Sequence, residues 1–497
     1  MNAGHDGPDR TSQIKRAPHQ RPTDLLLSRP TRPRGGTTTH CATLEAVSSP
    51  KRGRSSETPI EQVIVRLDKA QLVEVISTAT ERHSDVERVV RLVAARADGD
   101  LAALRTAVDQ GLRTRRFLDY RESMAWAHAA RPVVAELDKM AVDAPSRELV
   151  ELVQRAIGQV VKVIMHADDS SGLIGDVALE LLRVHAKACD AGVADPAKLA
   201  RWMIRFRFKD QDFFEVDPVR YADALGEHGL RAYRQAVAEL ASPRSFAARY
   251  AHERLAILDG DIDELVRLLG GDLSGAHQFQ RVAEAMVELD RPDLALDWAT
   301  RGIEKTSGWQ IANLYDLACK LHVRADTPSE ALRLRRAHHE RSPSGSTYGA
   351  LRSAAGACDA WHLERDAARQ ALERSDRRAF VSVLLDDGDD ELAWEAASRS
   401  VHAEIGQELL LRLADRRQSS HPSEALTVYT RVVDEILVET DRRAYRRAVQ
   451  ILKQAHAAAQ AAGETDAFAA NVARLREVHR RRPTFIATMD KAKLTDA

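Results

Sequence analysis

Four carboxylates stand close together at Asp210, Asp212, Glu215 and Asp217, and a hard cation such as calcium takes several such oxygens from one loop. The EF-hand pattern requires glycine at its sixth position, and counting from Asp210 that position is Glu215. Phe213 and Phe214, set among the acids, read as anchors to a core, so no ion is expected there. His166 with Asp168 and Asp169 offers the parts of an acid/base pair or a metal site, because a carboxylate beside imidazole raises its basicity. No second histidine at helical spacing completes it, and a helix start capped by Asp169 or Ser170 accounts for the same residues. His252-Glu253 and His339-Glu340 begin like the HExxH zinc motif, but Ala256 and Pro343 stand where its second histidine belongs.

Cys41, Cys189, Cys319 and Cys358 are too few and too scattered for a disulfide framework, and none forms a CxxC or Cys-x-His pair. The chain has no GxxxxGK[ST] loop, no GxGxxG after a strand and no G-x-S-x-G elbow. Catalytic residues, cofactor-binding residues and metal ligands are each expected to be none, and the protein is read as not an enzyme. The basic runs Arg113-Thr114-Arg115-Arg116 and His479-Arg480-Arg481-Arg482 could meet phosphates, but on helices such runs are usually a solvated face paired with acids one turn away.

Contact chemistry is denser between Trp202 and Pro218, where five aromatics, three basic residues and four acids share 17 positions of a chain that is only 5% aromatic. Aromatics beside arginine are typical interface anchors, so Trp202, Arg205, Phe206, Phe213 and Phe214 are the candidate partner contacts. If buried instead, the segment reads as the hinge between two domains.

What must position these residues is helical. From Thr58-Pro59 onward apolar residues recur every three or four positions, as at Val86, Val89-Val90 and Val93, and alternating β-branched runs are essentially absent. The turns Gly99-Asp100, Gly260-Asp261 and Gly388-Asp389 read as a helix ending on glycine with aspartate capping the next. One phrase occurs three times, at Pro292–Leu296, Pro328–Leu332 and Pro422–Leu426, each as Pro-x-x-Ala-Leu. Ala295 and Ala331 are 36 residues apart, and a further 36 reaches Ala367. Ala283 and Gly302 flank Ala295 as small residues, with Cys319 and His338 at the same offsets around Ala331, and the second unit ends at Pro343.

This pattern resembles the tetratricopeptide repeat, whose period is roughly 34 residues, without its full Trp, Leu-Gly and Tyr set. The fold class expected is all-α: a tetratricopeptide-like helical-hairpin solenoid preceded by a helical domain and a disordered N-terminal tail. Residues 1–57, rich in Pro, Gly, Ser, Thr and Arg, form the tail; 58–242 form the helical domain; 243–494 form the repeats, with the boundary at Ser242-Pro243. Lys+Arg 73 nearly balance Asp+Glu 74, which gives no global pull toward nucleic acid or membrane. No apolar run reaches the length of a transmembrane helix, and no signal-peptide core opens the chain, so a cytoplasmic location is expected.

Four phrases together resemble the C-terminal helical region of bacterial SWIM-type zinc-finger proteins and their uncharacterised relatives: Leu112–Tyr120, Asp168–Gly172, Asp210–Phe214 and Arg474–Pro483. The finger itself needs a Cys-x-Cys followed by a Cys-x-His, and this chain has neither. Neither its metal ligands nor finger-dependent nucleic-acid binding therefore carries over. The resemblance implies a helical module inside the cell, either without a finger or with one encoded upstream. The function expected is a non-catalytic protein-interaction scaffold of helical repeats, binding protein partners through the concave face of the array; the alternative is a nucleic-acid-associated protein.

Overall fold

The computed structural model describes residues 60–240, 245–400 and 402–494. The expected tail, residues 1–57, and the Ser242-Pro243 boundary lie outside the described residues. Among the described residues the chain is helical throughout, with no strand and one isolated parallel bridge between Leu118 and Ala167. It divides into two compact units, Met1–Leu269 and Gly270–Ala497.

That division falls later than the boundary read from the sequence. The helix Phe246–Asp259 belongs with the first unit because Ala251 and Leu255 join that unit's core and buried Arg254 pairs with Asp217 at 2.9 Å. A Pro/Ser break marks where a helix stops, and it does not say which core the next helix joins.

In the first unit local capping fixes the helix starts. Asp119 accepts the backbone N–H groups of Arg121 and Glu122 while Glu122 reaches back to the Asp119 N–H, a reciprocal arrangement that satisfies donors the helix leaves unpaired. The helix it starts, Tyr120–Asp143, and the helix Arg147–Ile164 both pack on Leu173–Cys189. Their buried stripes, among them Leu137, Val153, Ile157 and Leu181, form the centre of this core. The helices Pro196–Arg205 and Ala222–Ala238 pack on each other, joined by a π-helical turn, Phe206–Asp210, and the loop after it.

The second unit is a run of six helical hairpins. They pair Ala276–Glu288 with Pro292–Lys305, Ile311–Arg324 with Pro328–Arg341, Gly345–Ala357 with Trp361–Ser375, Arg377–Asp387 with Asp390–Ser398, Gln407–Arg417 with Pro422–Ile436, and Arg442–Ala462 with Thr465–Val478. A last helix, Pro483–Lys491, packs on Arg442–Ala462 and buries Phe485 and Met489. Five of the six hairpin turns close the same way. A left-handed residue, Asp290, Asp326, Asp359, Gly388 or Gly463, follows the first helix. The next N–H then reaches back five residues, as from Arg291 to Met286 at 2.8 Å and from Glu464 to Ala459 at 2.9 Å. This is the Schellman closure, which satisfies carbonyls the helix end leaves free. The sequence marked it where it uses glycine; three of the hairpins use aspartate, which tolerates the left-handed region better than most residues.

Within each hairpin the fourth residue of the second helix is buried against its neighbours: Ala295, Ala331, Ala393 and Ala425, with Phe468 in the last. The register extrapolated to Ala367 does not hold, because Ala367 is exposed. The second and third hairpins follow each other more closely, with Asp359 after Asp326 by 33 residues instead of 36, so the equivalent position is Glu364.

Candidate functional site

The Trp202–Asp217 segment lies wholly within the first unit, between two helices of that unit, so it is not a hinge to the repeats. Trp202, Phe206 and Phe214 are buried, Trp202 stacking on Phe206 at 5.3 Å between ring centres. These three are core residues and cannot serve as exposed partner contacts; only Phe213, 54% exposed, and Arg205 reach the surface. Helical spacing explains the outcome, since Trp202 and Phe206 are four apart and share the face that turns inward.

The loop is shaped by buried Gln211. Its carbonyl oxygen accepts the N–H groups of Phe213 and Phe214 at 2.6 and 2.7 Å, and its amide donates to the Phe214 carbonyl at 2.9 Å. The carboxylates do not converge. Asp210 pairs with Arg205, Glu215 is held by both nitrogens of an Arg207 fork at 2.6 Å, and Asp217 takes the fork of Arg254 at 2.9 Å. Three of the four acids each meet an arginine of their own and Asp212 is exposed, which leaves this loop no shared cage of oxygens.

Beside it lies a polar cluster around buried His185. Tyr221 Oη donates to the Leu182 carbonyl at 3.3 Å, so it accepts from His185 Nδ1 at 2.8 Å, which places the ring proton there. Nε2 is then free to accept from the Gln154 amide at 3.1 Å. Cys189 Sγ also approaches Nε2, at 3.9 Å, and Trp202 lies over the ring at 4.3 Å. Burial pushes the imidazole down to about 3 and the Cys189 thiol up to about 12. The ring is neutral, the sulfur is a thiol, and both nitrogens are satisfied, so the cluster ties helices together and holds no nucleophile.

His166, Asp168 and Asp169 also serve structure. His166 Nδ1 lies 3.0 Å from the Lys162 carbonyl, and the Asp168 carboxylate accepts from the Ser170 hydroxyl. The Asp169 carboxylate accepts the N–H groups of Ile174 and Gly175 at 3.0 and 2.9 Å, capping the helix that follows. Among the described residues no cluster of three or more His, Cys, Asp or Glu is placed to hold a metal ion.

In the second unit a charged network crosses the third and fourth hairpins. Asp387 accepts from Tyr348 Oη at 2.6 Å and from Arg369 at 2.7 Å, with Arg352 on its other oxygen, while Arg369 also meets Asp389. Burial works against the Asp387 charge, yet the Tyr348 hydroxyl and the Arg369 guanidinium hold its carboxyl below the usual range. Asp389 is thus engaged by Arg369 and makes no side-chain cap on its helix, unlike Asp100 and Asp261. Glu364 is fixed by the Arg336 fork, with a 2.8 Å contact to Nε. Sequence reasoning missed this pair, because the 36-residue register pointed three positions past it.

The first helices of neighbouring hairpins are linked by polar side chains along one face. The Asn313 amide donates to Gln280 at 3.0 Å, Arg412 to Asp386 at 2.7 Å, Arg447 to Glu408 at 2.5 Å and Gln454 to Asp415 at 3.1 Å. All eight stand on first helices; this face is open over its later part, where Asp386, Glu408, Arg412 and Asp415 are exposed, whereas Gln280 is buried. Arg412, Asp415 and Arg416 with Leu385 also line a shallow depression on it.

No protein-family profile matches this chain, and no curated protein matches it. Among solved structures it is similar to a circular tandem repeat protein with novel repeat topology and enhanced subunit contact surfaces, at 17% identity over 82% of this chain and 96% of that one, with a TM-score of 0.17. It is also similar to a chain of the Naa15/Naa10 complex bound to HypK-THB, at 14% identity over 82% of this chain and 65% of that one, with a TM-score of 0.24.

Proposed function

We propose that this chain is a non-catalytic scaffold of the cytoplasm that binds a protein partner along the first-helix face of its hairpin array. The observation that carries the reading is the ladder on that face: four cross-hairpin polar pairs spread over five first helices, from Gln280 to Gln454. Stacked hairpins offer extended surface because each contacts only its neighbours and its outer side chains stay in solvent. The ionisable clusters support the same reading, since His185, Cys189 and Asp387 are each saturated by structural partners. Among the described residues no helix is long and apolar enough to cross a membrane.

The test is capture from nuclease-treated lysate by the full chain and by an Arg412→Glu, Arg447→Glu variant. Loss of capture by the variant, with its thermal midpoint retained, supports the face. Retained capture moves the site elsewhere, and capture that disappears with nuclease transfers the protein to the nucleic-acid class.

A further inference from the structure

The isolated bridge in the first unit brings together two loops about 50 positions apart in the sequence. Leu118 N–H donates to the His166 carbonyl at 3.2 Å, and Asp168 N–H donates to the Leu118 carbonyl at 2.8 Å. Leu118 itself is buried, but its neighbours stand outward: Phe117 is 65% exposed, Met165 60% and Tyr120 47%. Three exposed bulky apolar residues thus lie within two positions of a bridged residue, in a chain with few aromatics to spare. Scattered single apolar residues on a surface need no explanation, whereas three held at one backbone clip do.

The charges around it are lopsided in availability. Every acid on the two loops is engaged locally: Asp119 and Asp169 cap helices, Glu122 pairs with Arg116 at 2.6 Å, and Asp168 holds Ser170. The guanidiniums of Arg115 and Arg121, both exposed, make no hydrogen bond or ion pair within the described residues. The patch therefore offers apolar surface together with two uncommitted guanidiniums, whose planar forks suit carboxylates.

We propose that Phe117, Tyr120 and Met165, flanked by Arg115 and Arg121, form a docking site for a short acidic peptide segment carrying aliphatic or aromatic side chains. Charge complementarity selects this occupant. A peptide needs acids only opposite the two free arginines, while a nucleic-acid strand would carry a charge at every residue past the Asp119 and Asp168 carboxylates. This site is separate from the array face and does not depend on it.

The experiment measures fluorescence anisotropy of the full chain with a labelled twelve-residue peptide in which Glu and Asp alternate with Leu and Phe. Saturable binding is expected, weakened about tenfold or more by Phe117→Ser, by Met165→Ala and by the pair Arg115→Glu, Arg121→Glu. The array variant Arg412→Glu, Arg447→Glu should bind this peptide as the parent does. Phe117, Met165, Arg115 and Arg121 are all exposed, so the thermal midpoints of their variants should stay unchanged, and the two apolar variants serve as independent checks on each other. The proposal is overturned by absence of saturation up to about 1 mM, by equal binding of the variants, or by equal binding of a peptide with Lys in place of the acids. It is likewise overturned if a twelve-nucleotide oligouridylate binds more tightly and loses affinity with the same substitutions.

Discussion

His185 carries its ring neutral in the core, with its proton on Nδ1 toward Tyr221 and its lone pair toward Gln154. Its folded value, lowered by burial to about 3, lies below the ordinary value of 6.5. Between those two limits the unfolded chain binds the proton that the folded chain refuses, so stability rises with pH there and falls as the solution is acidified from 6.5 toward 3. The slope expected from this one group is about 1.4 kcal/mol per pH unit. Chemical denaturation of the parent from pH 7 to 4, compared with His185→Gln, should show the variant with the flatter profile. Gly302 is a second residue whose role is steric. A Cβ added there would lie 2.6 Å from Phe279 Cβ and 2.7 Å from a Leu314 methyl, closer than carbon atoms approach. Gly302→Ala should therefore cost about 1–3 kcal/mol despite alanine's better helix propensity, read as a lowered thermal midpoint. One repeat later His338 takes the same offset and lies flat on Tyr315, 4.2 Å between ring centres and 7° from parallel. The small residue is needed where the opposing Cβ itself comes up against the helix, as Phe279 does at Gly302.

At the scale of the hairpin, the position held by Ala295, Ala331 and Ala425 shows how one element tolerates a different side chain. Glu364 is buried there because Arg336, on the second helix of the preceding hairpin, reaches over to pair with it. The residue equivalent to Arg336 one repeat earlier is Thr300. Ala331→Glu should then cost about 3 kcal/mol or more, as an unpaired buried charge does, and Thr300→Arg in the same chain should recover part of that loss. A double-mutant cycle on thermal or denaturant midpoints reads the coupling, and additivity of the two changes would contradict the equivalence. A related device closes the C-terminal ends of second helices. Arg341, ending the second hairpin, donates to the Ile303 and Thr306 carbonyls of the first at 2.7 and 2.6 Å, and Arg482, at the start of the last helix, donates to the Leu437 carbonyl at the end of the fifth hairpin at 2.6 Å. Positive charge at a helix C-terminus also opposes the helix dipole, so these arginines act twice.

Across the whole molecule, the two units each have a core of their own, and the repeats end in a helix that covers the last hairpin with Phe485 and Met489. A chain of residues 270–497 should fold alone, with helical circular dichroism and a cooperative denaturant transition; removing 479–497 from it should expose apolar surface of the last hairpin and lower the midpoint. Much of this was legible beforehand. Apolar periodicity gave helices without strands, glycine and proline gave the turns, and the recurring Pro-x-x-Ala-Leu gave the stacked hairpins, because these follow from backbone geometry within a few residues. The contact candidates were not legible in the same way. Trp202 and Phe213 are both aromatic residues beside charged ones, yet one is buried and the other exposed. The clip that joins Leu118 to Ala167 pairs loops with no shared local pattern, and Glu364 entered the repeat position through a three-residue contraction. Local sequence determined that this protein is a succession of capped helices whose apolar stripes oblige them to pack; only the tertiary structure decided which side chains that packing hides, because burial depends on neighbours that the chain brings back from far away.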